Sequence, residues 1–103
     1  MTTINGSAVK KLVVACDAGM GSSVMLASTV RKQLAKNGVT VEHTSVAEIP
    51  ADADIVLTHA GLADRARGVA KAGTPVVPFN LFLGDPAVTK VVKGLTSGQP
   101  FDV

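Results

Sequence analysis

The sequence predicts one α/β domain, a three-layer fold in which about three helices cover both faces of a four-stranded parallel sheet. Short apolar runs alternate along the chain with segments of helical periodicity, and this alternation favours parallel strands joined by helical crossovers. The chain has 103 residues, enough to bury a single core without disulfides or metal ions. Its 47% hydrophobic and 17% charged residues are typical of a folded protein and exclude a disordered one.

The first half of the chain predicts a strand, a loop and a helix in close succession. Residues 10–15 include an apolar run without alternation, as expected for a strand that is covered on both faces. Small residues at 17–21 predict a loop, after which Ser22 or Ser23 is expected to be the N-cap of a helix. That helix is expected to end just before Gly38, a typical C-terminal stop.

The second half predicts three more strands and two more helices. Pro78 lies in the last of these strands and limits its pairing, because proline has no N–H to donate. Asp85 and Pro86 are expected as the N-cap and first residue of the last helix. The other predicted elements are an edge strand at 39–46, a buried strand at 54–58, a helix at 61–72 and a strand at 75–79.

The predicted connections place a ligand site beside the first strand. Right-handed crossovers put the second strand on one side of the first and the third on the other, which gives the order 2-1-3-4. Ligands of such sheets bind outside the carboxyl ends of the strands where the chain order reverses, and Cys16 follows the first strand at that point. The domain is expected at 10–97, with a flexible N-terminal tail at 1–9 and a C-terminal tail at 98–103.

The segment from Cys16 to Ser23 combines a nucleophile with a backbone that is suited to anions. The first N–H groups of a helix have no intrahelical partner and carry partial positive charge, so they attract a thiolate or a phosphoryl group. The loop can therefore present N–H groups to a phosphoryl group on Cys16, which is the only cysteine of the chain. A small buried cysteine is the alternative, and its position before a glycine loop disfavours it.

Three known phosphate loops lie between a strand and a helix, and each differs from this one. A Walker A loop needs a lysine that is absent here. A dinucleotide fingerprint fails at Val24, although Glu42 is suitably spaced, so a dinucleotide-binding module remains an alternative. A cysteine phosphatase has arginine where this chain has Ser22, and without that arginine a phosphocysteine should wait for an acceptor. This favours a carrier and leaves a low-molecular-weight phosphatase or arsenate-reductase-like enzyme as the other alternative.

These residues resemble those of a known family. The run from Cys16 to Ser23 is similar to the IIB component of the bacterial phosphoenolpyruvate-dependent sugar phosphotransferase system, and most similar to its mannitol-specific branch. The resemblance extends over about residues 10–97. Further matching residues are Thr58-His59, Leu62, Asp64-Arg65-Ala66, Asn80 and Phe82-Leu83.

The resemblance implies a phosphotransferase that carries a phosphoryl group. Cys16 would accept phosphate from a phosphohistidine of a IIA component and pass it to a sugar or polyol, here mannitol, that is bound by the membrane IIC component. His59 follows the third strand beside the same site and is a candidate for a supporting role near the phosphate. The implied phosphate-binding residues are Asp17, Ala18, Gly19, Met20, Gly21, Ser22 and Ser23.

The composition argues against several other partners. A 3% aromatic content and a net charge of only +2 disfavour nucleic-acid binding. The apolar runs are far shorter than the roughly 20 residues that a membrane helix needs, and the first residues lack the pattern of a signal peptide. We therefore expect a cytoplasmic domain that acts at the inner face of the cell membrane without inserting into it. It is expected to be monomeric in isolation and to need no cofactor or metal ion.

Overall fold

A parallel sheet flanked by helices forms the centre of the fold in a computed structural model, which describes residues 3–16, 21–71, 74–80 and 86–102. Short 3₁₀ turns occur between several of the main elements. The strands and helices are β1 (Thr3–Asn5), β2 (Lys11–Cys16), α1 (Gly21–Leu34), β3 (Thr40–Ser45), β4 (Ile55–His59), α2 (Ala63–Val69), β5 (Val76–Phe79), α3 (Pro86–Ser97) and β6 (Pro100–Asp102).

The main sheet has the predicted topology. Its order is β3-β2-β4-β5, and all three neighbouring pairs are parallel. Helices α1 and α3 contribute to the apolar cluster on one face, and α2 contributes to the cluster on the other. The α/β class, the strand order and the three-layer arrangement are therefore confirmed.

The unbroken apolar run of β2 fills both faces of the sheet. Successive side chains of a strand point to opposite faces, so Leu12 and Val14 join the cluster under α1 and α3. Val13 and Ala15 join the cluster under α2. All four are fully buried, which explains why the run does not alternate between apolar and polar residues.

Helix α1 begins earlier than the sequence predicted. Gly21 is its first residue, so Ser22 and Ser23 lie inside the first turn and neither is the N-cap. The prediction of a serine N-cap is wrong, because capping residue types locate a helix start only to within one or two positions. At the other end a 3₁₀ turn over 35–37 leads to Gly38, whose φ of 70° confirms it as the left-handed stop.

Helix α2 is shorter than predicted. A 3₁₀ turn occupies residues 60–62, and the α-helix covers only Ala63–Val69. Val69 lies three residues after the buried Ala66 and is nevertheless 43% exposed. Gly68 lies in the last turn, where a glycine destabilises a helix, and at Ala70 the backbone becomes extended. The helical spacing of apolar residues therefore continues in the sequence beyond the residue at which α2 ends.

The two ends of the chain pair with each other where the sequence predicted tails at 1–9 and 98–103. Strands β1 and β6 form a two-stranded antiparallel sheet, with Thr3 opposite Asp102. Phe101 packs so closely against Gly94 of α3 that a Cβ atom on Gly94 would overlap its ring. Strands of three residues from opposite ends of the chain leave no local periodicity, so this sheet could not be predicted from the sequence.

Charged side chains join the amino ends of three strands. The Lys11 ammonium of β2 lies 2.8 Å from the Asp52 carboxylate and 3.1 Å from the Glu42 carboxylate of β3. One Asp54 carboxylate oxygen, just before β4, accepts hydrogen bonds from the backbone N–H groups of Lys10 and Lys11, each at 2.9 Å. The hydrogen bond from Lys11 lowers the pKa of Asp52, and that bond also raises the pKa of Lys11.

Both outer strands of the sheet carry a group that disfavours further strand pairing. Arg31 of α1 donates from Nε and Nη2 to the Val41 carbonyl of β3, at 3.3 and 2.8 Å. At the opposite edge Pro78 lies exposed within β5 and offers no N–H. The prediction that Pro78 limits pairing agrees with this edge position.

Candidate functional site

The backbone of Cys16 lies at the predicted reversal of chain order. Cys16 is the last residue of β2, whose neighbours are β3 on one side and β4 on the other. The carboxyl ends of these parallel strands share one edge of the sheet, which is the usual ligand site of such folds. Asp17, Ala18, Gly19 and Met20 lie outside the described residues, so their phosphate-binding roles remain predictions.

The start of α1 provides unpaired backbone donors at this carboxyl edge. Residues 17–20 alone separate Gly21 from the end of β2, so the helix must begin near that edge. The N–H groups of Gly21, Ser22 and Ser23 belong to the first turn and have no intrahelical acceptor. The first turn of α1 contains no acidic residue that could offset its positive dipole end. Such a helix start favours an anion by about 0.3–2 kcal/mol.

His59 lies at the same edge, at the end of β4. Ala15 and Thr58 are paired in register, so Cys16 and His59 each follow that pair by one residue. The half-buried imidazole accepts the Gly61 N–H at Nδ1, with 3.3 Å between the nitrogens. Its ring meets the buried Phe79 ring edge-on, with 6.1 Å between the centroids and 87° between the planes. The sheet therefore brings the predicted nucleophile and the predicted supporting histidine to one place.

The hydrogen bond from Gly61 also assigns the tautomer of His59. A neutral imidazole has one nitrogen that donates and one that accepts. Because Nδ1 accepts the Gly61 N–H, the neutral ring carries its proton on Nε2. The same hydrogen bond caps the 3₁₀ turn at 60–62.

Two buried hydroxyl groups lie on either side of Ala15, the residue that precedes Cys16 in β2. Thr44 of β3 and Thr58 of β4 pair in register with Ala15, one on each side. Neither Oγ1 atom has a hydrogen-bond partner within the part of the chain that the structure describes. An unpaired buried hydroxyl costs about 1–3 kcal/mol. Sequence reasoning missed this feature, because a threonine within a strand does not itself show what packs over its hydroxyl.

Two other kinds of site are absent from the described ranges. Within them, no three His, Cys, Asp or Glu residues are grouped in a way that could hold a metal ion. Among the helices of those same ranges, none is both long and apolar enough to span a bilayer. The groups that the structure does place at the carboxyl edge are the backbone of Cys16, the first N–H groups of α1 and His59.

Comparison with known proteins identifies the family. The sequence model of the family described as PTS system, Lactose/Cellobiose specific IIB subunit, matches residues 11–94. The PTS system mannitol-specific EIICB component of Geobacillus stearothermophilus is 54% identical over 89 residues, which cover 84% of this chain and 19% of that protein. The mannitol-specific cryptic EIICB component of Escherichia coli K12 is 44% identical over 93 residues, which cover 88% of this chain and 20% of that protein.

The match covers most of this chain but only a part of the relatives. The mannitol-specific EIICBA component of Vibrio cholerae is 40% identical over 93 residues, which cover 88% of this chain and 14% of that protein. The chain thus spans about a fifth or less of the length of these relatives. Their mannitol-specific names agree with the branch that the motif from Cys16 to Ser23 predicted. The chain belongs to the IIB family of the phosphotransferase system.

Proposed function

We propose that this domain carries a phosphoryl group on Cys16, from a phosphohistidine of a IIA component to a sugar or polyol bound by the membrane IIC component. The observation that carries the proposal is the position of Cys16 at the end of β2, with residues 17–20 alone between it and Gly21 at the N-terminus of α1. Family membership supports phosphoryl transfer in sugar uptake. The relatives are named as EIICB components, which supports a IIC component as the acceptor partner.

In the first step the Cys16 thiolate attacks the phosphorus atom of the phosphohistidine. The S–P bond forms as the N–P bond breaks, and the electron pair of that bond returns to the imidazole nitrogen, which takes a proton from solvent. The N–H groups of Gly21, Ser22 and Ser23 stabilise the charge on the phosphoryl oxygens. The predicted loop residues 17–20 add further N–H groups to the same role.

In the second step the phosphoryl group leaves Cys16 for the bound polyol. A hydroxyl oxygen of the polyol attacks phosphorus, the O–P bond forms, and the S–P bond breaks to return the thiolate. The hydroxyl proton passes to solvent or to a base of the acceptor component. Ser22 stands where a cysteine phosphatase has its arginine, so water competes poorly as the acceptor.

The helix start also favours the reactive form of the cysteine. A free thiol with the ordinary pKa of about 8.5 is only a few per cent ionised at neutral pH. A helix N-terminus favours an anion by up to about 2 kcal/mol in a partly buried setting. The position of Cys16 relative to α1 therefore supports a nucleophilic thiolate before transfer and a dianionic phosphoryl group after it.

The names of the relatives support mannitol as the polyol and a fused IIC component as the site of transfer. The EIICB and the EIICBA relatives are both named mannitol-specific. Transfer to a sugar during uptake takes place where the domain meets the membrane component. We therefore place the domain on the cytoplasmic side, at the inner face of the cell membrane.

The test is phosphorylation of the whole chain by its proposed donor. The protein is incubated with phosphoenolpyruvate, the general phosphotransferase proteins and a mannitol IIA component, and its intact mass is measured. We expect one phosphoryl adduct that is lost in Cys16→Ser. An unmodified wild-type chain would refute the carrier function, and steady phosphate release from an aryl ester would indicate a phosphatase instead.

A further inference from the structure

Charged residues are distributed unequally between the two faces of the main sheet. Helices α1 and α3 contribute to the apolar cluster on one face, and neither helix contains an acidic residue. On the other face, Asp64 belongs to α2, and Glu48 belongs to a 3₁₀ turn that packs against α2. Helices α1 and α3 and the turn after α1 therefore contribute only positive charge. Their basic residues are Arg31, Lys32, Lys36, Lys90 and Lys93.

The lysines of α1 and α3 lie on the exposed faces of these helices. Lys32 follows Met25 by two helical turns, so both lie on one exposed face of α1. Lys90 and Lys93 are neighbours on an exposed face of α3. Both helices pack with their other faces on the same apolar cluster, so these exposed faces lie on the same side of the domain. We refer to them as the α1/α3 surface, which consists of Met25, Lys32, Lys36, Lys90 and Lys93.

The lysines of the α1/α3 surface have no ion-pair partner among the described residues. In that part of the chain the ion pairs are those of Lys11 and Arg67, which lie elsewhere. Strand β6, which packs against α3, contributes a single acidic residue, Asp102. The Asn37 side chain after α1 donates from Nδ2 to the Thr96 carbonyl of α3 at 3.2 Å, so the two helices meet where they end. The α1/α3 surface is therefore a continuous positive layer that an anionic partner would neutralise.

An open groove of about 770 Å³ adjoins this surface along α3. Lys90 and Lys93 line it, together with Phe101 of β6. The half-buried Phe101 ring packs against Gly94, which is also part of the groove. Two ammonium groups beside an apolar lining match a ligand that has a negative charge next to an apolar body.

We propose that the α1/α3 surface binds a membrane surface that contains anionic phospholipids. The lysine ammonium groups contact headgroup phosphates, and the groove beside Phe101 accepts one of the headgroups. This inference rests on the proposed function only for the location of the domain, at the inner face of the membrane, where anionic lipids attract basic residues. Contact through the helix layer would hold the carboxyl edge of the sheet alongside the bilayer, so that the position of Cys16 stays accessible to protein partners.

The composition of the surface favours lipid over an acidic protein as the occupant. Lysine is depleted in protein–protein interfaces, whereas the α1/α3 surface carries four lysines. A lysine ammonium is a point charge on a flexible stem, which suits phosphates whose positions are not fixed. Each lysine near an anionic leaflet strengthens binding about fivefold. Four lysines therefore predict a weak and reversible attachment to the membrane surface.

The experiment measures co-sedimentation of the full chain with lipid vesicles. We expect the wild type to bind vesicles that contain about a third phosphatidylglycerol in phosphatidylcholine, to leave them at high salt, and not to bind phosphatidylcholine alone. The double variant Lys90→Gln/Lys93→Gln should bind about 25-fold more weakly, and so should Lys32→Gln/Lys36→Gln. All four side chains are exposed, so the melting temperature should not change.

The matched control is Arg67→Gln/Lys71→Gln. It removes the same number of positive charges from exposed side chains of α2 and the segment after it, and it should bind the anionic vesicles as the wild type does. An equal loss in this control would overturn the inference, because net charge and not the α1/α3 surface would then determine binding.

Three further results would overturn the inference. They are the absence of wild-type binding to the anionic vesicles, equal binding to phosphatidylcholine alone, and lysine variants that keep vesicle binding but are phosphorylated more slowly by a IIA component. The last result would assign the surface to a protein partner. Failure of the carrier function is distinguishable, because the wild-type chain would then acquire no phosphoryl group in an assay without vesicles.

Discussion

The two edges of the main sheet differ in whether their polar groups have partners. At the amino edge, charged side chains are paired, and one Asp54 oxygen accepts two backbone N–H groups. At the carboxyl edge, the first N–H groups of α1 have no intrahelical acceptor. Thr44 and Thr58 bury hydroxyl groups that have no partner among the described residues. Polar groups are therefore satisfied at one edge and left available or unsatisfied at the other.

This difference indicates where stability and chemistry reside. The amino edge fixes the starting positions of β2 and β4, and the parallel register carries that alignment along the strands to Cys16 and His59. The carboxyl edge holds the end of β2, the end of β4 and the start of α1, where we propose that the phosphoryl group binds. Substitutions of the paired groups at the amino edge should therefore lower stability, and substitution of the proposed nucleophile at the carboxyl edge should abolish transfer.

The largest expected effect is loss of transfer in Cys16→Ser. A serine hydroxyl is far less ionised than a thiol at neutral pH, so no phosphoryl adduct should form in the presence of a phosphorylated IIA component. The side chains are of similar size, so the melting temperature should remain within a few degrees of the wild type. Calorimetry and intact mass together test the comparison, and a strongly destabilised Cys16→Ser would contradict it.

The next effect is a loss of stability in Asp54→Ala. This change removes the acceptor of two backbone N–H groups, and we expect it to lower the free energy of unfolding by about 1–3 kcal/mol. Asp54→Asn keeps an oxygen acceptor without the charge and should lose less. Urea denaturation measures both variants. A slowed phosphorylation rate in folded Asp54→Ala would show that the two edges are not independent.

A smaller effect of opposite sign is expected for Thr58→Val. Valine has nearly the same shape but no hydroxyl, so it removes the cost of an unpaired buried group and should raise the free energy of unfolding by about 1 kcal/mol. Thr44→Val is the matched change on the other side of Ala15, and it should gain less because Thr44 is only half-buried. If Thr58→Val is destabilising instead, an internal water or another partner satisfies the hydroxyl.

The smallest effect is expected in Asp52→Asn, which should remove the part of the pH dependence of stability that Asp52 contributes. The hydrogen bond from Lys11 lowers the pKa of Asp52 below its ordinary value of 3.8 in the folded state. The contribution of Asp52 to stability is therefore present above about pH 3.8 and is lost as the pH falls through the lower, folded-state pKa. Melting curves of Asp52→Asn and the wild type should differ slightly at neutral pH, less so in high salt, and should converge in acid.

The control for this last prediction is Asp64→Asn. Asp64 pairs with Arg67 one helical turn away at 3.1 Å, and both side chains are more than half exposed. An exposed pair of this kind contributes little, so the melting curves of Asp64→Asn and the wild type should nearly coincide at neutral pH. A difference as large as that of Asp52→Asn would show that the amino edge is not distinct from the rest of the surface.

The central features could be predicted because each has a local cause. The unbroken run Leu12–Ala15 predicted a strand buried on both faces, and Gly38 predicted a helix stop through its left-handed backbone. Cys16 could be placed at the site because strand order follows from the handedness of the crossovers. His59 could be placed at the same edge for the same reason, as the residue that ends the neighbouring strand.

The remaining features depend on contacts between distant parts of the chain. The pairing of β1 with β6 joins residues from opposite ends of the sequence. The Arg31 bond to the Val41 carbonyl requires α1 and β3 to be in place. Whether the Thr58 hydroxyl finds a hydrogen-bond partner depends on what packs over it. The sequence shows only a further β-branched residue in a strand. Tertiary packing determines these contacts, and no periodic pattern in a single sequence indicates them.

The pairing of β1 with β6 gives the domain a defined response to mechanical tension. Thr3 lies opposite Asp102, and Asn5 lies opposite Pro100. A force that separates the two ends therefore opens this small sheet from the Thr3–Asp102 pair inward. The pairs break one after another at low force, because each bears the whole load in turn. The parallel sheet that holds Cys16 and His59 bears no force until the pairs between β1 and β6 have separated. A pull transmitted through the ends of the domain should therefore lengthen the chain before it displaces the proposed phosphoryl site.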